Sequence, residues 1–586
     1  MTYDLKIKGA TVIDGSGKPG FAADVAVKGG IIVAIGALDE NASREIDANG
    51  ALLTPGFIDI HTHYDGQALW DDALETSTRH GVTTAFMGNC GVGFAPLRPE
   101  MQETIINLMS GVEDIPGDVL RAGLRWNWTT FADYLDRLEE VERPIDIGTQ
   151  VPHDAVRLHA MGERAVCQEQ ATPDDIAEMQ NILRESLLAG AFGFSFGRVF
   201  GHRMSDGNTT PSYFADHAEL EALASVLRDL PYRVLQGITD GRVTDGPDAF
   251  EAEFNGVKRM MDAADRPMSF NLQQRNEPEH QNVWQTLLAK SDEADRRGQS
   301  FRFQVGGSGS GSLLGFTSSL NPLSPMPSYR EIHHLPLKDR IAKMRDGAFR
   351  SRILTEAPVI LPNDDSNLRA MHKMLSGLDT NAPFIFPLEG TPDLEPTFEQ
   401  SVAGLAAATG KPAFEILYDH ALKNDGEALF AYTRFNYIAG DLSVIHQMLT
   451  HPNTMFGVAD AGAHLGYVCE NAFTTRALTF WSRDRSRGPK IPVHQIVNML
   501  TGKIADHLRL EDRGRIAVGL KADLNIIDYD NLSFEHPYAV SDLPAGGKRF
   551  LQRSDGYLAV IKDGVPIIEN DTPTEAKPGK LIRAVA

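Results

Sequence analysis

Between residues 4 and 49, short apolar runs alternate with turn residues: LKIKGATVID, then DGSGKPG, then ADVAVKGGIIVAIG. Valine and isoleucine within the runs, with Gly, Asp and Pro at the breaks, predict short strands joined by tight turns. From about 513 the same pattern returns in RGRIAVGLKADLNIIDYD and YLAVIKDGVPIIEN, so two β-rich ends enclose a long middle. There, strand-like segments (TPGFIDIHTH, GVTTAFMGNCG, RPIDIGTQVP, GAFGFSFG, YRVLQGIT, PMSFNLQQ and NTMFGVADAG) are separated by helical stretches such as PDDIAEMQNILRESLLAG and HAELEALASVLRDL. Repeated alternation of this kind predicts a parallel β/α architecture. Residues from about 300 to 445, GGSGSGSLLG and then Pro-rich loops, break the rhythm and read as insertions over the open end of the strands.

Composition narrows the class. The chain has 586 residues, 42% hydrophobic and 23% charged, which is enough for a large core and lacks any disordered or fibrous bias. Its 56 basic and 79 acidic residues give a net charge of −23, which repels nucleic acid and anionic membrane surfaces. No stretch of about 18 apolar residues occurs, and Asp4, Lys6 and Lys8 stand where a signal peptide needs an apolar core. Cys90, Cys167 and Cys469 are few, odd in number and scattered, so no disulfide framework is expected. These features predict a soluble cytoplasmic protein, compatible with a homo-oligomer whose symmetry nothing in the chain fixes.

Candidate chemistry begins in FIDIHTH. Phe57 to Ile60 form an apolar strand, and His61 and His63 follow at i and i+2, projecting to one side of an extended chain where two imidazoles can grip one cation. Cys90 ends the next apolar strand, in GNCG; it is either a small buried hydrophobe or a thiolate donor of the kind zinc accepts beside nitrogen and oxygen. Asp460 follows TMFGVA where a strand opens onto its carboxyl end, the side that carries chemistry in β/α folds; the alternative is a helix N-cap.

These segments carry a resemblance. The strand pattern of the first 50 residues, TPGFIDIHTHYDG, HGVTTAFMGNCGVGFAP, VEDIP, DAGAHLG and GLKADLNIID resemble the amidohydrolase superfamily, and within it the N-acyl-D-amino-acid deacylase (D-aminoacylase) family. The similarity spans nearly the whole chain, strongest in 1–130 and 450–570 and weakest in 200–445. It implies a metal-dependent (β/α)8 TIM barrel at 57–507, containing the insertion at about 300–445, and a small β-sandwich built from 1–56 and 508–586. The resemblance makes Cys90 a metal ligand and gives Asp460 a double role, touching the metal and shuttling a proton between water and the leaving nitrogen. It also places His153 and Arg157 in a substrate-binding turn, where Arg157 would hold an anion, and leaves His464 either orienting the substrate or making a structural hydrogen bond.

The departures matter too. The deacylases carry a metal-binding histidine on each of two central strands, whereas the segments here read YRVLQGITDGR and MSFNLQQRN, with Gln236 and Gln273 near those places. Nor does GAFGFSFGR contain the lysine that bridges two metals in some relatives. The expected site is therefore mononuclear, one Zn2+ or another divalent ion held by His61, His63, Asp460 and Cys90. His202, His217, His333, His334 and His420 lie in the poorly matched middle and receive no role. The expected activity is hydrolysis of a carbon–nitrogen amide bond in a small molecule, an N-acyl (D-)amino acid. A cyclic amide or lactone is the alternative among hydrolases, and an inactive barrel serving as a binding component is the alternative outside them.

Overall fold

The computed structural model describes residues 2–309 and 311–585; Ser310, inside the Gly/Ser run, lies outside them. Eight parallel strands organise the middle of the chain: β1 (Phe57–Asp59), β2 (Val82–Met87), β3 (Asp146–Thr149, continued by Val151–Pro152), β4 (Gly193–Arg198), β5 (Val234–Thr239), β6 (Met268–Asn271), β7 (Phe301–Val305) and β8 (Thr454–Phe456). They pair in chain order, β1 to β3 and then the continuation of β3 through to β8. Beyond the strand ends, the parallel bridge Thr62–Ala461 ties the first to the last.

Helices close the gaps for local reasons. Pro173–Ala189 starts at a capping box in which the Thr172 and Asp175 side chains bond each other's backbone N–H, and it stops at Gly190, whose φ of 122° suits glycine. Its buried face, with Met179, Leu183 and Leu187, joins the main core that wraps the strand array.

The two β-rich ends meet in one nine-stranded sheet, where Leu52–Pro55 pairs antiparallel with Leu524–Ile527. Where the rhythm breaks, the chain between β7 and β8 forms a small antiparallel sheet in the order Gly311–Leu314, Phe430–Thr433, Ile385–Pro387. It has a hydrophobic cluster of its own, including Leu314, Tyr329, Met371 and Leu417. This insertion touches the loop after β8: Leu313 N donates to Tyr467 O at 2.7 Å and Ser319 N to Gly466 O at 2.9 Å. No helix among the described residues is long and apolar enough to cross a membrane.

Candidate metal centre

His61 and His63 leave the carboxyl end of β1 in a segment stitched from both sides. Thr62 bonds the Phe86 carbonyl of β2 through both its N–H (2.9 Å) and its hydroxyl (2.8 Å). From the β8 side, Asp460 N donates to His61 O at 3.1 Å and His63 N to Ala461 O at 2.8 Å. The threonine therefore faces β2 while both imidazoles face the space enclosed by the strands.

Cys90 joins them from the loop after β2. Its φ of 57° is left-handed, and Gly91 beside it also has positive φ in a place where a Cβ would collide with the Gly197 backbone. Cys90 N donates to Gln236 Oε1 at 2.7 Å, so this β5 side chain braces the loop. The result is that His61, His63 and Cys90, all buried, offer ligand atoms within 4.8 Å of one another. Asp460 Oδ1 lies 3.4 Å from His61 Nε2 and 3.9 Å from His63 Nε2, and its side chain is 20% exposed, so it faces both the imidazoles and solvent.

Gln304, on β7, was not anticipated. Its Oε1 meets His61 Nδ1 at 2.7 Å while its Nε2 donates to Ser269 Oγ at 3.0 Å. The amide oxygen must accept, so Nδ1 carries the proton and Nε2 turns its lone pair to Cys90 Sγ, 3.2 Å away, and to Asp460. Period-two alternation in FRFQV was the available signal for this strand.

Glu113 was quoted within VEDIP but given no role. It is buried, with Oε1 3.6 Å from His63 Nδ1 and Oε2 3.7 Å from His464 Nε2. Glu113 is also the C-cap of the helix Gln102–Val112, where a carboxylate opposes the helix dipole; an acid in so unfavourable a place was the clue. His464 is held by its N–H to Glu113 O and by Tyr467 Oη, 3.1 Å from its Nδ1. His202 also lies near enough for its charge to act on His63. Gln273, half-buried, sits just past the end of β6.

His153 and Arg157 are placed differently. Both are buried and both pair with Glu219, His153 Nε2 to Oε1 at 2.8 Å and Arg157 Nη1 to Oε2 at 2.5 Å. The structure does not bring either into the group formed by His61, His63 and Cys90.

The electrostatics hold the donors of this group in their neutral forms. Burial, and then the charges of His61, His464 and His202, hold His63 far below the usual imidazole range, and burial lowers His61. Burial, followed by Glu113, Asp460 and Asp65, pushes the Cys90 thiol up. Burial raises Glu113 and Asp59, and lifts Asp65 to about 7. His63 Nδ1, Asp59 Oδ2 and Asp65 Oδ2 are buried without hydrogen-bond partners. A divalent cation fits this donor set: two neutral imidazoles, a thiol that a metal would ionise, and carboxylates with no cationic partner among the described residues.

The family profile described as the amidohydrolase family matches residues 44–568. This chain belongs to that family. Membership makes it a hydrolase acting on carbon–nitrogen bonds other than peptide bonds. An uncharacterised protein of Mycobacterium tuberculosis is 27% identical over 601 residues, covering 97% of this chain and 92% of its own. The D-aminoacylase of Alcaligenes xylosoxydans xylosoxydans is 35% identical over 199 residues, 34% of this chain and 38% of its own. A solved D-aminoacylase superposes with a TM-score of 0.65 at 22% identity, covering 99% of this chain and 100% of that one. N-acyl-D-glutamate deacylase from Bordetella bronchiseptica, solved with zinc and a phosphonate inhibitor, gives 0.64 at 22% identity and full coverage of both. These superpositions show a shared amidohydrolase-type fold.

Proposed function

We propose that this amidohydrolase removes the acyl group from N-acyl amino acids, with the D configuration the first to test, and that the eight strands are the barrel that carries the site. The convergence of His61, His63 and Cys90, with Asp460 facing both imidazoles, carries the reading. His61, His63, Asp460 and Cys90 would hold one zinc or similar divalent ion, since β5 and the segment after β6 carry Gln236 and Gln273 rather than further imidazoles. A divalent ion bound there supplies Lewis acidity toward a carbonyl oxygen and eases ionisation of water.

The chain's own groups do the rest. Asp460, partly open to solvent, accepts a proton from the attacking water and returns it to the departing nitrogen, a base and acid in one carboxyl. Gln304 keeps the His61 lone pair turned inward. Glu113 lies between His63 and His464, its carboxyl oxygens 3.6 and 3.7 Å from their ring nitrogens.

The test is a panel of N-acyl-D-amino acids, N-acyl-L-amino acids, cyclic amides and lactones, run with zinc-loaded protein. Release of a free amino acid from the acyl substrates supports the assignment, and cleavage confined to cyclic amides or lactones would replace it. Two metal equivalents per chain, both removed by a chelator, would overturn the mononuclear site.

A further inference from the structure

His61, His63, Cys90 and Asp460 all follow the carboxyl ends of their strands, so the amino ends of the same parallel strands form the opposite face. A cavity of about 730 Å³ opens there. Tyr232, Pro267, Ser300 and Pro452, the residues leading into β5, β6, β7 and β8, line one side, and the helix Gly502–Leu508 with the turn after it lines the other. Its size is that of a small-molecule site.

Five cationic side chains reach this cavity, Arg302, Lys503, Arg509, Arg513 and Arg515, against Asp506 and Glu511, in a chain of net charge −23. Three of them have carboxylate partners: Arg302 with Asp295 at 2.7 Å, Arg515 with Asp506 at 2.6 Å, and Arg513 with Asp146 at 2.6 Å. The other two do not. Lys503 donates only to the Pro452 and Thr454 carbonyls, at 3.3 and 3.1 Å, and Arg509 has no carboxylate within ion-pair distance among the described residues.

His507 supplies a second, independent observation. It lines the same wall, is only 6% exposed, and neither ring nitrogen has a hydrogen-bond partner. Burial, then the charges of Arg302 and Arg509, holds its pKa down to about 3. Buried polar groups are nearly always paired; both ring nitrogens are closed to solvent as well as unpaired, so a ligand held by the two uncompensated cations would gain them as donors only on a turn of the ring.

We propose that this amino-end cavity binds a phosphate-bearing anion, either inorganic phosphate or a small phosphate monoester, through Lys503 and Arg509, beside His507. Two cations match the charge of a monoester at neutral pH, roughly −1.5 to −2. The guanidinium and ammonium N–H groups offer donors to several oxygens of one ligand. The ligand would sit across the strands from the metal centre and leave the acyl substrate's path open.

The test is calorimetric titration of the zinc-loaded chain, in phosphate-free buffer, with inorganic phosphate in one arm and glycerol 2-phosphate in the other. The expected result is saturable binding at one equivalent per chain in at least one arm, which also distinguishes the free from the esterified ligand. Lys503→Gln with Arg509→Gln should weaken binding about tenfold or more, the scale of one lost charge-assisted contact, with turnover of the acyl substrate unchanged. Arg509→Gln alone, at an exposed position, provides the same readout if the double variant does not fold. Binding should survive in His61→Ala/His63→Ala. The absence of saturable binding in both arms, binding untouched by the Arg509 change, or binding lost with the metal ligands would overturn the proposal.

Discussion

Two sets of buried acids sit beside histidines in this molecule, and burial has opposite outcomes in them. Around His61 and His63, burial holds Asp59 and Glu113 well above the usual carboxyl range and Asp65 at about 7. Glu219 and Glu253, each 1% exposed, are just as dry. Yet against the same burial, His153 and Arg157 pull Glu219 down, and His217 and Arg198 pull Glu253 down to about 2. The difference is a permanent cation. Each acid of the second set has an arginine, whereas those of the first have none among the described residues. Similar residue types thus make a charge-balanced joint in one place and a group of acids without an arginine in the other. Arg157 belongs to the joint.

The comparison breaks most sharply if the metal donors go. His61→Ala with His63→Ala should abolish metal retention and lower turnover by about four orders of magnitude, the scale of several kcal/mol of lost transition-state stabilisation. Far-ultraviolet circular dichroism should be unchanged, and metal analysis beside an amide-cleavage assay checks both. Next comes the joint. Glu219→Gln leaves Arg157 buried and uncompensated, and should cost about 3–5 kcal/mol in urea denaturation, with kcat/KM of the folded protein nearly unaltered. A large kinetic loss without a stability loss would move the Glu219 cluster into the active site.

Gln304→Ala should act on the first set alone, weakening metal affinity by about 10–100-fold as His61 loses the partner that fixes its tautomer, with little change in melting temperature. The smallest effect concerns pH. The Glu253 carboxyl is lowered from the usual 4.5 to about 2, so its contribution to stability is complete above about pH 4.5 and fades as the pH falls toward 2. The melting-temperature gap between wild type and Glu253→Gln should therefore be full at neutral pH and narrow progressively below 4.5.

Local pattern revealed most of the strand array. Seven of its strands lie in apolar segments bounded by turn residues, and the joined β-rich ends repeat one alternating pattern. β7 escaped because FRFQV, half polar and followed at once by a Gly/Ser run, reads as the start of the insertion. His61, His63, Cys90 and Asp460 could be read as candidates because each follows a recognisable strand. Gln304 and Glu113 were not, because they act over separations of 243 and 50 residues: Gln304 on His61, and Glu113 on His63 from a helix end that local pattern cannot orient. The ion pair of Arg157 was hidden for the same reason, since its partner Glu219 lies 62 residues away.

The central claim is that Asp460 moves the proton in a site that His61, His63 and Cys90 help to build. The direct measurement is steady-state cleavage of an N-acyl amino acid by zinc-loaded Asp460→Asn, with metal content and melting temperature determined on the same preparation. The account predicts a folded protein whose kcat falls by about three orders of magnitude or more. Turnover within tenfold of wild type in that variant would contradict it.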